Sequence, residues 1–185
     1  SEVLDIAIAD NGDLVAFAVN DVVRADIATG KVLNLYQNAL PSLANSGDRF
    51  DGERFVVGGA KALSVFEAPS KVQMLAELPG DWVFAGDVAY DKQHAAIYAS
   101  ARTRSGSGDD RLWRYELANN SWTKIGPLGF SGVIGLDFAC DGKLYGVVVQ
   151  PGSPLLIEVE VATGKPREVG RLSGVPSVMG AAGRD

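Results

Sequence analysis

The amino-acid sequence predicts an all-β fold built from four similar units. An internal repeat is the first observation: the stretch IAIADNGDLVAF (6–17) matches LDFACDGKLYGV (136–147) in its order of apolar, turn and strand residues. The second observation is a spacing of 40, 50 and 44 residues between the alanines that open a later turn of each unit, at Ala28, Ala68, Ala118 and Ala162. Repeats of 40 to 50 residues containing four short strands are typical of β-propeller blades. We therefore predict a β-propeller of four four-stranded units, with half of a larger ring as the open alternative.

The strands are predicted from residue type and alternation. Segments such as VVRADIATGKV (22–32) and IEVEVATGKPR (157–167) carry β-branched residues at alternating positions before a turn. No segment combines a helical period with helix caps, so almost no helix is expected. One domain is expected over 1–185, with blade units at 4–38, 43–78, 86–128 and 134–172. Residues 174–185 then begin a further strand or form a tail.

Asp-Gly and Asn-Gly pairs raise the question of whether they hold a ligand or only form turns. In GLDFACDGKLYGVVV (135–149), an alternating apolar run stops at Asp-Gly and then resumes. Such pairs supply the positive φ angles of tight hairpins, and ATGK and ANNS do so at the second hairpin. A calcium loop needs acidic residues at several alternating positions, and DNGD (10–13) is too short for that. We therefore interpret these carboxylates as turn-forming.

Three segments resemble known propeller repeats. DGERFVVGGAKALSVFEAPSKVQMLAEL (51–78) resembles the YVTN-type repeat, within a wider resemblance to YVTN, Kelch and NHL-like blades. LWRYELANNSWTKIGPL (112–128) is similar to Kelch repeats, and the segment from LYGVVV to GKPREVGRL is similar to repeats of secreted bacterial propellers. The resemblance implies an extracellular or periplasmic location. It implies no catalytic residues, because such scaffolds serve binding modules, lactonases and cofactor enzymes alike.

Composition excludes several functions. A net charge of −6 argues against a nucleic-acid partner, and no apolar run approaches the roughly 20 residues of a membrane span. Cys140 and His94 are the single cysteine and histidine, too few for a tetrahedral zinc site. We expect Cys140 to be a small buried hydrophobe, His94 to lie in a solvated turn, and no cofactor to be bound.

The most informative feature is an unusually long connection in the third unit. We label the four strands of each blade A to D from the axis outward, so that the B–C and D–A connections share one face. The third blade carries ARTRSGSGDD (101–110) there. Its D–A neighbours are PGDWVFAG (79–86) and GFSGVIG (129–135). Loops held by a rigid scaffold concentrate binding residues, whereas the alternative is a solvated Gly-Ser loop beside ordinary core aromatics. The candidate binding residues are Trp82, Phe84, Arg102, Arg104, Asp109, Asp110, Arg111 and Phe130.

The central channel is a second, weaker candidate. Asp5 and Asp87 occupy equivalent positions at the start of the innermost strand, while Gly135 fills that position in the fourth unit. A complete acidic ring is therefore not expected, and the inner strands are read as mainly apolar. Asp5 and Asp87 remain weak candidates for a channel cation.

These observations favour a non-catalytic binding module on a propeller scaffold. Its partner is expected to be a protein or a small polar ligand on the B–C and D–A face. One alternative is a hydrolase or lactonase-like enzyme with a metal in the channel. The other is a structural subunit that completes a larger ring, with a homodimer as one such assembly.

Overall fold

The computed structural model describes residues 3–40, 44–150 and 152–175. These residues form four four-stranded antiparallel sheets arranged as a four-blade propeller, which confirms the predicted fold class. The described part of the chain contains no helix, and therefore no helix able to cross a membrane. The predicted further strand or tail at 174–185 lies, from residue 176 onward, outside the described residues.

Each blade is a simple meander in which every strand pairs with its neighbour in sequence. Blades 1 and 2 contain β1 (Val3–Ile8), β2 (Leu14–Ala18), β3 (Val22–Ala25), β4 (Val32–Tyr36), β5 (Ala44–Asp51), β6 (Arg54–Gly59), β7 (Ala62–Glu67) and β8 (Lys71–Glu77). Blades 3 and 4 contain β9 (Trp82–Asp91), β10 (Ala96–Thr103), β11 (Arg111–Glu116), β12 (Ser121–Pro127), β13 (Val133–Phe138), β14 (Leu144–Val148), β15 (Leu155–Val159) and β16 (Pro166–Arg171).

The first strand of each blade lies innermost. Strand β1 packs against β5, β5 against β9, and β9 against β13, so these four strands surround the axis. The fourth strand of each blade is the outer edge, and β4, β8 and β16 are largely exposed. Side chains of the inner strands therefore contact neighbouring blades.

The tight turns have the backbone that the sequence predicts. Gly12 and Gly142, in the Asn-Gly and Asp-Gly hairpins, have φ angles of 87° and 75°. Asn120 in ANNS also has a positive φ, at 54°. Asp141 accepts a hydrogen bond from the Lys143 N–H at 3.0 Å, which is the local turn role predicted for these carboxylates.

Buried apolar side chains fill the space between successive blades. Phe17 of blade 1 is fully buried and lies edge-on to Phe55 of blade 2, with ring centroids 5.9 Å apart. The Phe17 ring occupies the space beside Gly47, where a Cβ atom would lie 2.6 Å from a ring carbon. Glycine is thus required at this position by the packing of blade 1 on blade 2.

The chain passes from one blade to the next through a repeated contact. A leucine follows each outer strand, and its N–H donates to a carbonyl of the B–C connection of the same blade, at 2.8 to 3.0 Å. The donor and acceptor pairs are Leu40 and Asn20, Leu78 and Lys61, Leu128 and Asp110, and Leu172 and Pro154. This contact ties the two connections on one face of each blade together.

The structure confirms the prediction for the single histidine and contradicts the prediction for the single cysteine. His94 lies in a turn with an exposed side chain, as predicted, and its Nδ1 lies 2.7 Å from the Asp91 carboxylate. Cys140 is exposed, so the prediction of a buried cysteine is wrong. The reason is that β13 ends at Phe138, which places Cys140 at the hairpin tip instead of inside the strand.

Candidate functional site

The long connection of blade 3 lies against both neighbouring D–A connections. We call residues 104–110 the rim loop; β10 ends just before it and β11 begins just after it. At its start the Arg104 N–H donates to the Asp81 carbonyl at 2.9 Å. At its end the Asp110 N–H donates to the Phe130 carbonyl at 2.8 Å. The structure therefore brings together the three segments that the sequence places on one face.

Asp110 anchors the rim loop from inside the protein. Its Oδ2 accepts the N–H groups of Gly132 and Val133 at 2.8 and 2.9 Å, just before and at the start of β13. Its Oδ1 lies 3.1 Å from Nε of Arg102, which completes an ion pair. Burial raises the pKa of Asp110, and the Val133 N–H and Arg102 oppose that shift without cancelling it. Because Asp110 is fully buried, its role is to position the loop.

The apex of the rim loop is the part that a partner can reach. Arg104 and Asp109 are exposed at its two ends, as are the residues between them. The hydroxyls of Thr103, Ser105 and Ser107 form a chain of hydrogen bonds of 2.9 and 3.2 Å along the loop. The apex thus presents one cation, one anion and several hydroxyl groups.

The aromatic candidates lie in different environments. Trp82 is partly exposed; its ring centroid lies 5.3 Å from that of Trp113, and Lys124 Nζ lies 5.5 Å from the ring. Phe130 is half-buried against the core between blades 3 and 4. Phe84 is 5% exposed, so it belongs to the core between blades 2 and 3. Of the three, Trp82 and Phe130 retain accessible surface.

Three candidates lie in strands although the sequence places them in connections. Trp82 and Phe84 belong to β9, and Arg102 belongs to β10. The physical reason is a register shift in the inner hairpin of blade 3, beyond which Arg102 pairs with Val83. The base of the rim loop is therefore part of the paired hairpin. Arg111, half-buried, is the first residue of β11.

A buried carboxyl pair occupies the axis. Asp5 and Asp87 are 2% and 1% exposed, and their carboxyls are hydrogen-bonded to each other. Asp5 also accepts the Gly47 N–H of blade 2 at 2.7 Å, and Asp87 accepts the Leu136 N–H of blade 4 at 2.8 Å. Burial raises the pKa of Asp5 to about 7 and that of Asp87 well above its ordinary value.

Sequence reasoning missed two further axial carboxyls. Asp48 accepts the Tyr90 N–H at 2.7 Å, and Asp137 acts electrostatically on both Asp5 and Asp48. Both lie two residues beyond the position of Asp5, on the same side of an inner strand. The period-two alternation of strands is the signal that reveals them. The expectation of mainly apolar inner strands is therefore wrong.

These carboxyls do not assemble a metal site. Within the described ranges, no three His, Cys, Asp or Glu side chains are placed to hold a metal ion. Backbone contacts explain this, because the carboxyl oxygens of Asp5, Asp87 and Asp48 accept backbone N–H groups. The axial carboxyls therefore connect blades.

The opposite face, which carries the tight hairpin turns, contains two depressions. A cavity of about 80 Å³ opens at the end of the channel, with lining residues from all four blades that include Ile8, Asp48, Tyr90 and Asp137. A wider depression of about 370 Å³ lies beside it, between two hairpin turns.

Comparison with known proteins places the fold. No protein-family model and no curated protein matches the sequence. Among solved structures, a luciferin-regenerating enzyme is similar with a TM-score of 0.64 at 10% identity, over 91% of this chain and 59% of the other. The fold is a β-propeller.

Two further propeller structures are similar over most of this chain. The WD40 repeats of RRP9 give a TM-score of 0.57 at 12% identity, over 90% of this chain and 48% of the other. A virginiamycin B lyase from Staphylococcus aureus gives 0.55 at 15% identity, over 89% and 54%. This chain therefore spans about half the length of the propellers it resembles. At such identities the likeness concerns the fold alone.

Proposed function

We propose that this propeller is a non-catalytic binding module, and that its partner docks on the apex of the rim loop. The observation that carries the proposal is an exposed polar loop fixed at both ends to a rigid scaffold. Asp81 and Phe130 hold its two ends through backbone hydrogen bonds, and the buried Asp110 holds it from below. A loop held in this way loses little conformational entropy on binding.

The chemistry of the apex defines the class of partner. Arg104 and Asp109 offer opposite charges, the serines between them offer hydroxyls, and Trp82 offers a partly exposed ring nearby. Such a surface suits a protein segment or a small polar ligand carrying both charge and hydrogen-bonding groups. Phe84, Arg102 and Asp110 act as positioning residues in this proposal, while Arg111 and Phe130 border the surface.

A charge reversal on the rim loop tests the proposal. A library of small polar compounds is screened by thermal shift, since a ligand at 100 times its Kd stabilises the native state by about 2.7 kcal/mol. The hit is then mapped by NMR chemical shifts. We expect shifts at Arg104, Asp109 and Trp82, and loss of binding in Arg104→Glu. Lys165→Glu, a matched reversal in an exposed turn of blade 4, retains binding.

The mapping also defines failure of the proposal. Shifts confined to the ATGK and Asn-Gly turns would place the partner on the other face. Equal loss of binding in Arg104→Glu and Lys165→Glu would indicate a nonspecific charge effect. Either result would contradict docking at the rim loop.

A second candidate function is assembly with another copy to complete a larger ring. The observation that favours it is the face of blade 1 that points away from blade 2. Leu14 and Val23 lie half-buried there, whereas their counterparts in blade 4, Leu144 and Ile157, are fully buried against blade 3. In blade 4 the equivalent face packs against blade 3. An exposed apolar face commonly marks an interface, so this face of blade 1 suits a second copy.

Sedimentation velocity tests the assembly. A dimer is expected for the wild type, and a monomer for Val23→Asp, because a charge is costly at an apolar interface. Met74→Asp, on the exposed outer strand of blade 2, is the control and leaves the sedimentation coefficient unchanged. A wild-type monomer at all concentrations would contradict this second candidate.

A further inference from the structure

The contact between blades 3 and 4 depends on a glycine of the outer strand. Gly126 of β12 pairs with Leu112 of β11, and the strand register shifts just beyond this pair. A Cβ atom on Gly126 would lie 1.9 Å from the carbonyl oxygen of Thr163, in the turn between β15 and β16. Leu112 is fully buried in the core between the two blades. Blade 3 therefore receives a turn of blade 4 at a position that only glycine can occupy.

Blade 4 repeats this arrangement on the face that points away from blade 3. Gly170 of β16 pairs with Leu156 of β15, and the register again shifts just beyond the pair. Leu156 is only half-buried, and a Cβ atom on Gly170 would meet no atom of the described residues within 4 Å. The φ angle of Gly170 is not positive, so its backbone does not require glycine either. Because glycine weakens a strand, the packing of the described residues does not account for Gly170.

Blade 1 carries the other half of the same contact. Its turn between β3 and β4 has the sequence ATGK (28–31), identical to the ATGK (162–165) turn that meets Gly126. Gly30 and Gly164 have φ angles of 68° and 77°, and the N–H of each donates at 2.8 Å to the carbonyl four residues earlier. A Cβ atom on Gly164 would lie 3.0 Å from the Gly126 backbone, whereas one on Gly30 would meet no described atom within 4 Å. The two unused halves of the contact thus lie at blades 1 and 4.

We infer that blade 4 of one copy docks on blade 1 of a second copy, with Thr29 and Gly30 of the second copy seated beside Gly170. The inference rests on the assembly given above as the second candidate function, and it names the surface that covers blade 1. The face of blade 1 that carries Val23 then lies against Leu156, as the equivalent faces of blades 4 and 3 lie against each other. The contact is head-to-tail, because it uses a different surface on each copy.

The size of the ring favours one further copy as the occupant. A head-to-tail contact gives a closed ring only where the rotation between copies closes, and otherwise gives an open filament. The propellers that this chain resembles are about twice its length. Two copies that dock at both ends supply eight blades, four from each copy, to one ring. Both free faces of each copy are then covered.

Gly170→Val tests the docking without disturbing the fold of a single copy. The added side chain meets open space within one copy, and valine suits a strand. In the assembly it would collide with the Thr29 carbonyl of the second copy, so we expect a folded monomer by circular dichroism and sedimentation velocity, where the wild type is a dimer. Gly170→Ala, which adds only the Cβ atom, is expected to have the same effect. Gln73→Val, at an exposed position of the outer strand of blade 2, is the control and keeps the dimer.

A mixture of two monomeric variants distinguishes head-to-tail docking from other dimers. Val23→Asp blocks the blade 1 surface and Gly170→Val blocks the blade 4 surface, so neither variant alone has both surfaces intact. In the mixture, blade 4 of the Val23→Asp copy can dock on blade 1 of the Gly170→Val copy. We expect sedimentation velocity to show a dimer in the mixture and in neither variant alone. This dimer is weaker than the wild type because one of its two contacts is lost.

The outcomes separate this inference from the assembly on which it rests. A dimeric Gly170→Val would overturn docking through blade 4 and would leave assembly through blade 1 intact. A mixture that stays monomeric, at concentrations well above the wild-type dissociation constant, would refute the head-to-tail contact. A wild type that is monomeric at all concentrations would overturn both the assembly and this inference, and would indicate a different protein as the occupant of the two faces.

Discussion

Replacing Asp110 with alanine is expected to lower the free energy of unfolding by about 3 kcal/mol, because several buried partners lose their acceptor. The Val133 N–H is buried and that of Gly132 is part-buried; both donate to Oδ2 of Asp110. A buried donor left without an acceptor costs about 1–3 kcal/mol. The Arg102 side chain is 31% exposed, so water replaces much of its lost ion pair and that contribution stays small.

Asparagine at the same position separates the two contributions. In Asp110→Asn the amide oxygen can take the place of Oδ2 and keep both N–H groups, while the amide nitrogen meets the Arg102 guanidinium. We expect this variant to lose about 1 kcal/mol, the size of a partly exposed ion pair. The difference between the alanine and asparagine variants then measures the two backbone hydrogen bonds.

Urea denaturation followed by tryptophan fluorescence measures both variants. Trp82 and Trp113 lie next to the base of the rim loop, so fluorescence reports on this region. Equal losses in the two variants would show that the ion pair, and not the backbone contacts, carries the anchor. A loss below 0.5 kcal/mol in Asp110→Ala, the range of ordinary surface changes, would refute the anchoring role.

Three further predictions concern other parts of the molecule. Gly47→Ala is expected to cost about 1–3 kcal/mol by overpacking against Phe17, and Phe17→Leu in the same chain to recover part of it, as a urea double-mutant cycle would show. Cys140 is expected to react with one equivalent of a thiol reagent in the native protein, as counted by mass spectrometry, because its side chain is exposed. Stability is expected to peak near pH 4–5 in a urea series. Ion pairs and turn hydrogen bonds lower the pKa of carboxyls such as Glu158 and Asp26, so their contribution to stability is lost as pH falls below about 4. Burial raises the pKa of Asp5, so its contribution to stability is lost as pH rises above about 4.

The sequence by itself determined the repeat, the strands and the turns. These features are local: alternation places side chains on two faces of a strand, and Asp-Gly or Asn-Gly fixes a hairpin through positive φ angles. The meeting of the rim loop with its two neighbouring connections also followed from the sequence, because blade topology puts these segments on one face. Gly12 and Gly142 illustrate how directly such turns can be predicted.

Only the tertiary structure decided which side chains are accessible and which are used internally. Asp109 and Asp110 are adjacent in the sequence, yet one is exposed and the other is buried under the start of β13. The pairing of Asp5 with Asp87 joins residues 82 positions apart, whose contact depends on how blades 1 and 3 approach across the axis. Burial and long-range contact arise from the packing of whole sheets, so residue type and spacing do not determine them.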